Sequence, residues 1–76
     1  MPSKKSRANR QLGEAIRAIR NERGMTQEGF AFKAGIDRSY YGAIERGEFN
    51  VTIDTLMTVA DGLGVPAAEI MRRAHL

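Results

Sequence analysis

Apolar residues in this chain recur at intervals of three and four, and glycines punctuate the recurrence. Leu12, Ile16 and Ile19 fall on one face of a helix expected from about Asn9 to Arg23, with Arg17, Arg20 and Glu22 off that face. Gly24 suits the left-handed residue that ends such a helix. Thr26 is placed to cap a second, short helix near 27–34 that turns Phe30, Ala31 and Ala34 inward, and Gly35 ends it. Asp37 caps a third helix near 38–46 with Tyr41 and Ile44 inward, and Gly47 stops it. Residues 48–52 read as a loop. Thr52 caps a fourth helix, and Val51 and Leu56 are spaced for a hydrophobic staple across its start. Ile53, Leu56, Val59, Ala60 and Leu63 form its expected buried stripe, and Gly64 ends it. Pro66 suits the first turn of a fifth helix near 67–74, with Ile70 inward. No segment sustains two-residue alternation, so the pattern predicts an all-α fold of five helices. Residues 1–8 carry no such pattern and read as a flexible basic arm ahead of one domain at 9–76.

The length of 76 residues admits one domain with a small core. The absence of cysteine removes disulfides and thiolate metal sites, and the single histidine, His75, leaves little for a metal site or a nucleophile–base pair. Carboxylates are scattered over helix ends and surfaces, so no enzyme and no cofactor are expected. No apolar run approaches the roughly 20 residues of a bilayer span. The basic start has no apolar stretch behind it, so it is not read as a secretory signal. A cytoplasmic protein without a membrane partner is the expectation. Charge adds direction. Lys4, Lys5, Arg7, Arg10, Arg17, Arg20 and Arg23 stand against Glu14 and Glu22 in the first 24 residues, leaving +5 there and −2 in the rest. Such an asymmetry points to a polyanionic partner, although a merely solvated N-terminus would look the same.

The informative stretch is QEGFAFKAGIDRSYYGAIERG, from Gln27 to Gly47. Two short helices meet across Gly35–Ile36–Asp37. Ala31 must be small where the helices cross, and Phe30, Ala34, Ile36, Tyr41 and Ile44 fill the wedge between them. That geometry leaves the start of the third helix projecting outward, and a helix of this diameter fits a DNA major groove. Arg38 and Ser39 open that helix with nothing apolar to bury. A cation at a helix N-terminus opposes the macrodipole, so the placement of Arg38 favours a functional reason, such as a bidentate bond to guanine. Ala43, one turn on, would offer only apolar contact to a thymine methyl. Tyr40 and Tyr41 are adjacent and cannot both face inward. Tyr41 takes the inward position, and Tyr40 is left either reaching a phosphate or base or simply exposed.

The stretch resembles the helix-turn-helix of the Xre/Cro-type, lambda-repressor-like family, and the likeness continues through NERGMTQE and TIDTLMTVADGLGV. Within it, the D-R-S-Y run and short length most resemble the controller proteins of restriction–modification systems. The resemblance implies a compact five-helix DNA-binding domain and base reading by Arg38, Ser39, Tyr40 and Ala43. It implies phosphate contacts from Gln27, Arg46, Asn50 and Thr52, and an ion pair between Arg20 and Glu45. The sequence departs from the pattern at Gly29, Phe30 and Pro66, none of them on the reading surface.

Lys4, Lys5 and Arg7 of the arm, with Arg10, would add phosphate or minor-groove contacts, or be solvated only. One small reading helix makes few contacts, so a homodimer on a palindromic operator is expected. Met57, Ile70, Met71 and Leu76 are the candidate interface, since a chain this small can hardly cover them all. The alternative is a monomer that pairs only on DNA. No small-molecule ligand is expected. A second reading is an antitoxin that binds a toxin as well as its operator.

Overall fold

The computed structural model describes residues 6–76. Five helices follow one another: α1 Arg7–Glu22, α2 Gln27–Ala34, α3 Arg38–Glu45, α4 Ile53–Leu63 and α5 Ala67–Arg73. Among the described residues there is no strand.

Short polar side chains set the starts of the first four helices, as their hydroxyl or carboxylate oxygens accept the otherwise orphaned N–H groups. Ser6 accepts from the Asn9 amide at 3.2 Å, Thr26 from Gly29 at 2.9 Å, Asp37 from Tyr40 at 3.0 Å and Thr52 from Thr55 at 3.1 Å. The Ser6 cap corrects the expected start of the first helix. It opens at Arg7, two residues ahead of Asn9, so Arg7 and Ala8 belong to α1 and not to an arm. The apolar pattern gave no sign of this, because the added turn is exposed or half-exposed throughout. Pro66 stands at the N-cap of α5, one place ahead of the first turn, and makes no side-chain cap bond.

The core is built from Leu12, Ile16 and Ile19 of α1, Phe30 and Ala31 of α2, Tyr41 and Ile44 of α3, Leu56, Val59 and Leu63 of α4, and Ile70 of α5. The Phe30 and Tyr41 rings meet at 5.0 Å between centroids, tilted by 47°, which pins the second helix to the third. At Gly13, α1 comes close to the backbone of α3. A Cβ there would lie 2.5 Å from the carbonyl oxygens of both Ile44 and Glu45. Only glycine lets the two backbones come this near, and the contact fixes the pitch at which α3 leaves the domain.

Two expected placements are overturned by burial. Ile53 is 73% exposed, although it was expected in the buried stripe of α4. It occupies the first position of that helix, a turn ahead of Leu56, where the core begins. Ile70 is fully buried, so it belongs to the core and presents nothing to a second chain.

Candidate nucleic-acid interface

The helix α3 has two faces of opposite character. Its inner face carries Tyr41, Ile44 and Glu45, all buried. Its outer face carries Arg38 and Ser39, with Gly42 buried at the floor beneath the Gln27 and Arg46 side chains, and is continued by Arg46 just beyond the last turn. These four line a shallow cleft of about 230 Å³ together with Gln27. Positions 38, 42 and 46 are four residues apart, so they stack along one side of the helix. The face is thus an open, polar strip with two guanidinium groups.

A buried ion pair sets this face. The Arg20 guanidinium of α1 grips the Glu45 carboxylate with two bonds, Nε to Oε2 at 2.6 Å and Nη2 to Oε1 at 3.0 Å. Arg20 also donates to the Met25 carbonyl at 2.7 Å, tying the α1–α2 connection to the same point. Gln27, at the start of α2, donates its Nε2 to Glu45 Oε1 at 3.0 Å. One carboxylate therefore joins three helices. Burial alone would push the Glu45 carboxyl up, but the hydrogen bonds led by Arg20 outweigh it and hold the group below its ordinary range. The Arg20 guanidinium is held above its ordinary range by the same bond. Burial likewise pushes the Tyr41 hydroxyl far up, and its oxygen is enclosed beside the pair without a hydrogen bond in normal geometry. The expected pairing of Arg20 with Glu45 is present.

The other expected residues are distributed as follows. Tyr40 is half-buried, and its ring lies 5.6 Å from that of Phe49 in the loop before α4. Ala43 is 4% exposed and is corrected from the reading face to the interior, since its methyl has almost no open surface to offer a base. Arg46 is exposed and bonded to Glu48. Asn50 accepts from Asn9 Nδ2 at 2.8 Å, which joins the loop to the first turns of α1. Thr52 has its hydroxyl engaged in capping, accepting from the Thr55 amide and donating to Thr55 Oγ1. Arg7 and Arg10 are exposed on the first turns of α1. Lys4 and Lys5 lie outside the described residues. Of the candidate interface, Met57 is 48% exposed and Leu76 50%, while Met71 is half-buried.

Sequence reasoning missed the contacts that Phe49 makes with Tyr40 and Asn9 with Asn50. Phe49 had a signal, an aromatic side chain in a loop otherwise polar, and Asn9 had none. A second depression of about 340 Å³ lies between the α2–α3 turn and α4, lined by Gly35, Ile36, Asp37, Tyr40, Asp54, Thr55 and Thr58. It holds two carboxylates and no cation, the wrong charge for a phosphate backbone.

Two helices crossing at a tight turn, with the second presenting polar side chains outward and braced from behind by the first, define a helix-turn-helix protein. The chain belongs to the helix-turn-helix family, whose model matches residues 16–70. Restriction–modification control proteins are among its relatives. It is 37% identical to the control protein C.SmaI of Serratia marcescens over 65 residues, 86% of this chain and 77% of that one. It is 43% identical to the immunity repressor of Bacillus phage phi105 over 60 residues, 79% of this chain but only 42% of the repressor's length. In structure it is similar to the controller protein C.Esp1396I, solved as a tetramer on its natural 35 base-pair operator. There the TM-score is 0.81 at 35% identity, covering 90% of each chain. The Xre/Cro-type likeness and the all-α five-helix class expected from sequence hold. Among the described residues no helix is long and apolar enough to cross a membrane.

Proposed function

We propose that this protein is a sequence-specific, DNA-binding transcriptional regulator of the restriction–modification controller kind, acting in the cytoplasm without enzymatic activity. The observation that carries the reading is the outer strip of α3. Arg38, Ser39 and Arg46 stand free of the core on a helix whose inner side is fixed by Glu45. Arg38 and Ser39 read base edges, and Tyr40, half-buried against Phe49 at the edge of that strip, adds its hydroxyl to the contact. Gln27, Arg46 and Asn50 face phosphates, with the Thr52 backbone region, Arg7 and Arg10 flanking them. Lys4 and Lys5 are proposed to extend the phosphate contacts. The similar proteins are named as control proteins and a repressor, which favours a regulator over an antitoxin.

The protein binds a palindromic operator as a homodimer, with half-sites about one helical turn apart. The exposure of apolar side chains supports the pairing surface. Ile53 and Met57 lie one turn apart on α4 and are both exposed, and Leu76 is half-exposed at the end of the chain. Leu76 is held by its amide, which donates to the Met71 carbonyl at 3.0 Å. Ile53 takes the place of Ile70 in the surface expected from sequence.

Titration of labelled operator fragments across a salt series tests the DNA reading. Affinity is expected to fall steeply with salt, as neutralised phosphates release counterions. Binding that ignores salt removes the proposal. Sedimentation of the double variant Ile53→Glu, Met57→Glu tests the pairing. Monomers of unchanged helicity with weakened operator binding are expected, and a persistent dimer moves the interface elsewhere.

A further inference from the structure

The C-terminal end of α3 is built to bring a cation and an anion together on the DNA-facing side. Arg46 caps the helix, and Gly47 follows with φ +75°. The Gly47 amide donates to the Ile44 carbonyl at 3.0 Å and the Glu48 amide to the Ala43 carbonyl at 2.9 Å, the paired bonds of a Schellman motif. The turn is also wedged against α1, since a Cβ at Gly47 would lie 2.8 Å from the Arg10 Cα. Glu48 is therefore fixed in its backbone position two residues after Arg46. Its carboxylate accepts from Arg46 Nε at 2.8 Å and from Nη2 at 3.3 Å. Both side chains remain open to solvent, at 56% and 31% exposure, and Arg46 lines the same cleft as Gln27, Arg38 and Ser39.

We infer that Glu48 acts as an internal stand-in for phosphate, clasping Arg46 in the free protein and making its contact with DNA conditional on register. The inference rests on the proposed phosphate role of Arg46. A two-pronged carboxylate on a guanidinium has the same geometry as a phosphate oxygen pair. While the clasp is closed, the pair is neutral and adds nothing to the attraction for DNA at large. On an operator, base contacts hold the duplex in register and set one phosphate where it can replace the carboxylate. On other DNA phosphates pass the site without being fixed in register, so they do not displace the carboxylate and the clasp stays closed. Glu48 thereby lowers binding to random DNA more than binding to operator, and it determines specificity without touching a base.

The test compares wild type, Glu48→Gln, Arg46→Ala and the double variant by fluorescence anisotropy. Each is titrated against an operator duplex and a scrambled duplex of equal composition, over a salt series, with helicity checked by circular dichroism. Glu48→Gln is expected to tighten binding to the scrambled duplex by about two- to fivefold at low salt, the range of an exposed ion pair. It should tighten operator binding less, so the ratio between the two falls. The salt slope on the scrambled duplex should steepen by about one, the value for one added phosphate contact. In the Arg46→Ala background the same substitution should tighten both duplexes alike, by removing a negative charge near phosphates, and leave the ratio between them unchanged. If Arg46→Ala weakens both duplexes while Glu48→Gln leaves the ratio unchanged or raises it, the clasp is wrong and the phosphate role stands. If Arg46→Ala changes neither duplex, the phosphate role fails and the clasp with it.

Discussion

The inner and outer faces of α3 are opposite sides of one eight-residue helix, yet they are held by different means. On the inner face every side chain answers to a neighbour. Tyr41 meets Phe30, Glu45 meets Arg20 and Gln27, and the backbone at Ile44 and Glu45 meets Gly13. On the outer face Arg38 and Ser39 are exposed and lie over open space in the cleft. The difference teaches how one frame can serve many operators. The inner residues decide where the helix stands, and on the proposed function the outer ones can change what it reads without disturbing the stand.

Substitutions that should matter most lie on the inner face. Glu45→Gln leaves Arg20 as an unpaired buried cation, and loss of one partner from a buried pair costs about 3–5 kcal/mol. For a domain of this size that is a large part of the total, since roughly 0.05–0.15 kcal/mol per residue is typical. Thermal or urea unfolding measures it, and a loss under about 1 kcal/mol would show that the pair is not the brace described. The same variant carries a pH signature. The Glu45 carboxyl is held below its ordinary range, so its contribution is complete above that range and is lost as pH falls through the lowered value. Wild-type stability should therefore drop on the acid side, and Glu45→Gln should lack that part of the drop.

Gly13→Ala comes next. The added methyl would press on two carbonyl oxygens of α3, which are backbone and cannot swing aside. The expected cost is about 1–3 kcal/mol, the range for overpacking a close contact. Because α1 sets the pitch of α3, operator binding should fall further than the loss of folded protein explains. Equal losses in the two measurements would mean that Gly13 serves packing alone.

The smallest effect on stability belongs to the outer face. Arg38→Ala should leave the unfolding free energy within about 0.5 kcal/mol of wild type, as surface substitutions do. A larger drop would mean that Arg38 is part of the frame and blur the division between the faces.

The frame was legible in the sequence because it obeys periodicity and punctuation. The spacing of Leu12, Ile16 and Ile19, the caps at Thr26, Asp37 and Thr52, and the glycines at 24, 35, 47 and 64 carried through to the structure with little change. What sequence could not show depends on the third dimension. Ile53 fits the apolar stripe of α4 by number, but the core ends at Leu56. Ala43 lies four residues from Ser39 and reads as outward, yet the folded chain encloses it. Ile70 is apolar near the end of the chain, where a core position and an interface position look the same. Residue spacing gave Gly13 no special role, since a glycine within a helix has meaning only once its neighbour is known. The pairing of Arg20 with Glu45 came from family resemblance, because 25 residues of separation hold no local signal.

Selection of bound duplexes from a randomised pool, with wild type and Arg38→Ala side by side, tests most directly that the outer face of α3 reads DNA. Wild type should enrich a two-fold symmetric site with half-sites about one helical turn apart. Arg38→Ala should enrich the same site with preference lost at one base pair in each half, and should bind it about 1–3 kcal/mol more weakly. An identical, equally sharp site from both proteins, or no enrichment from wild type, would contradict the reading of this face as the one that recognises sequence.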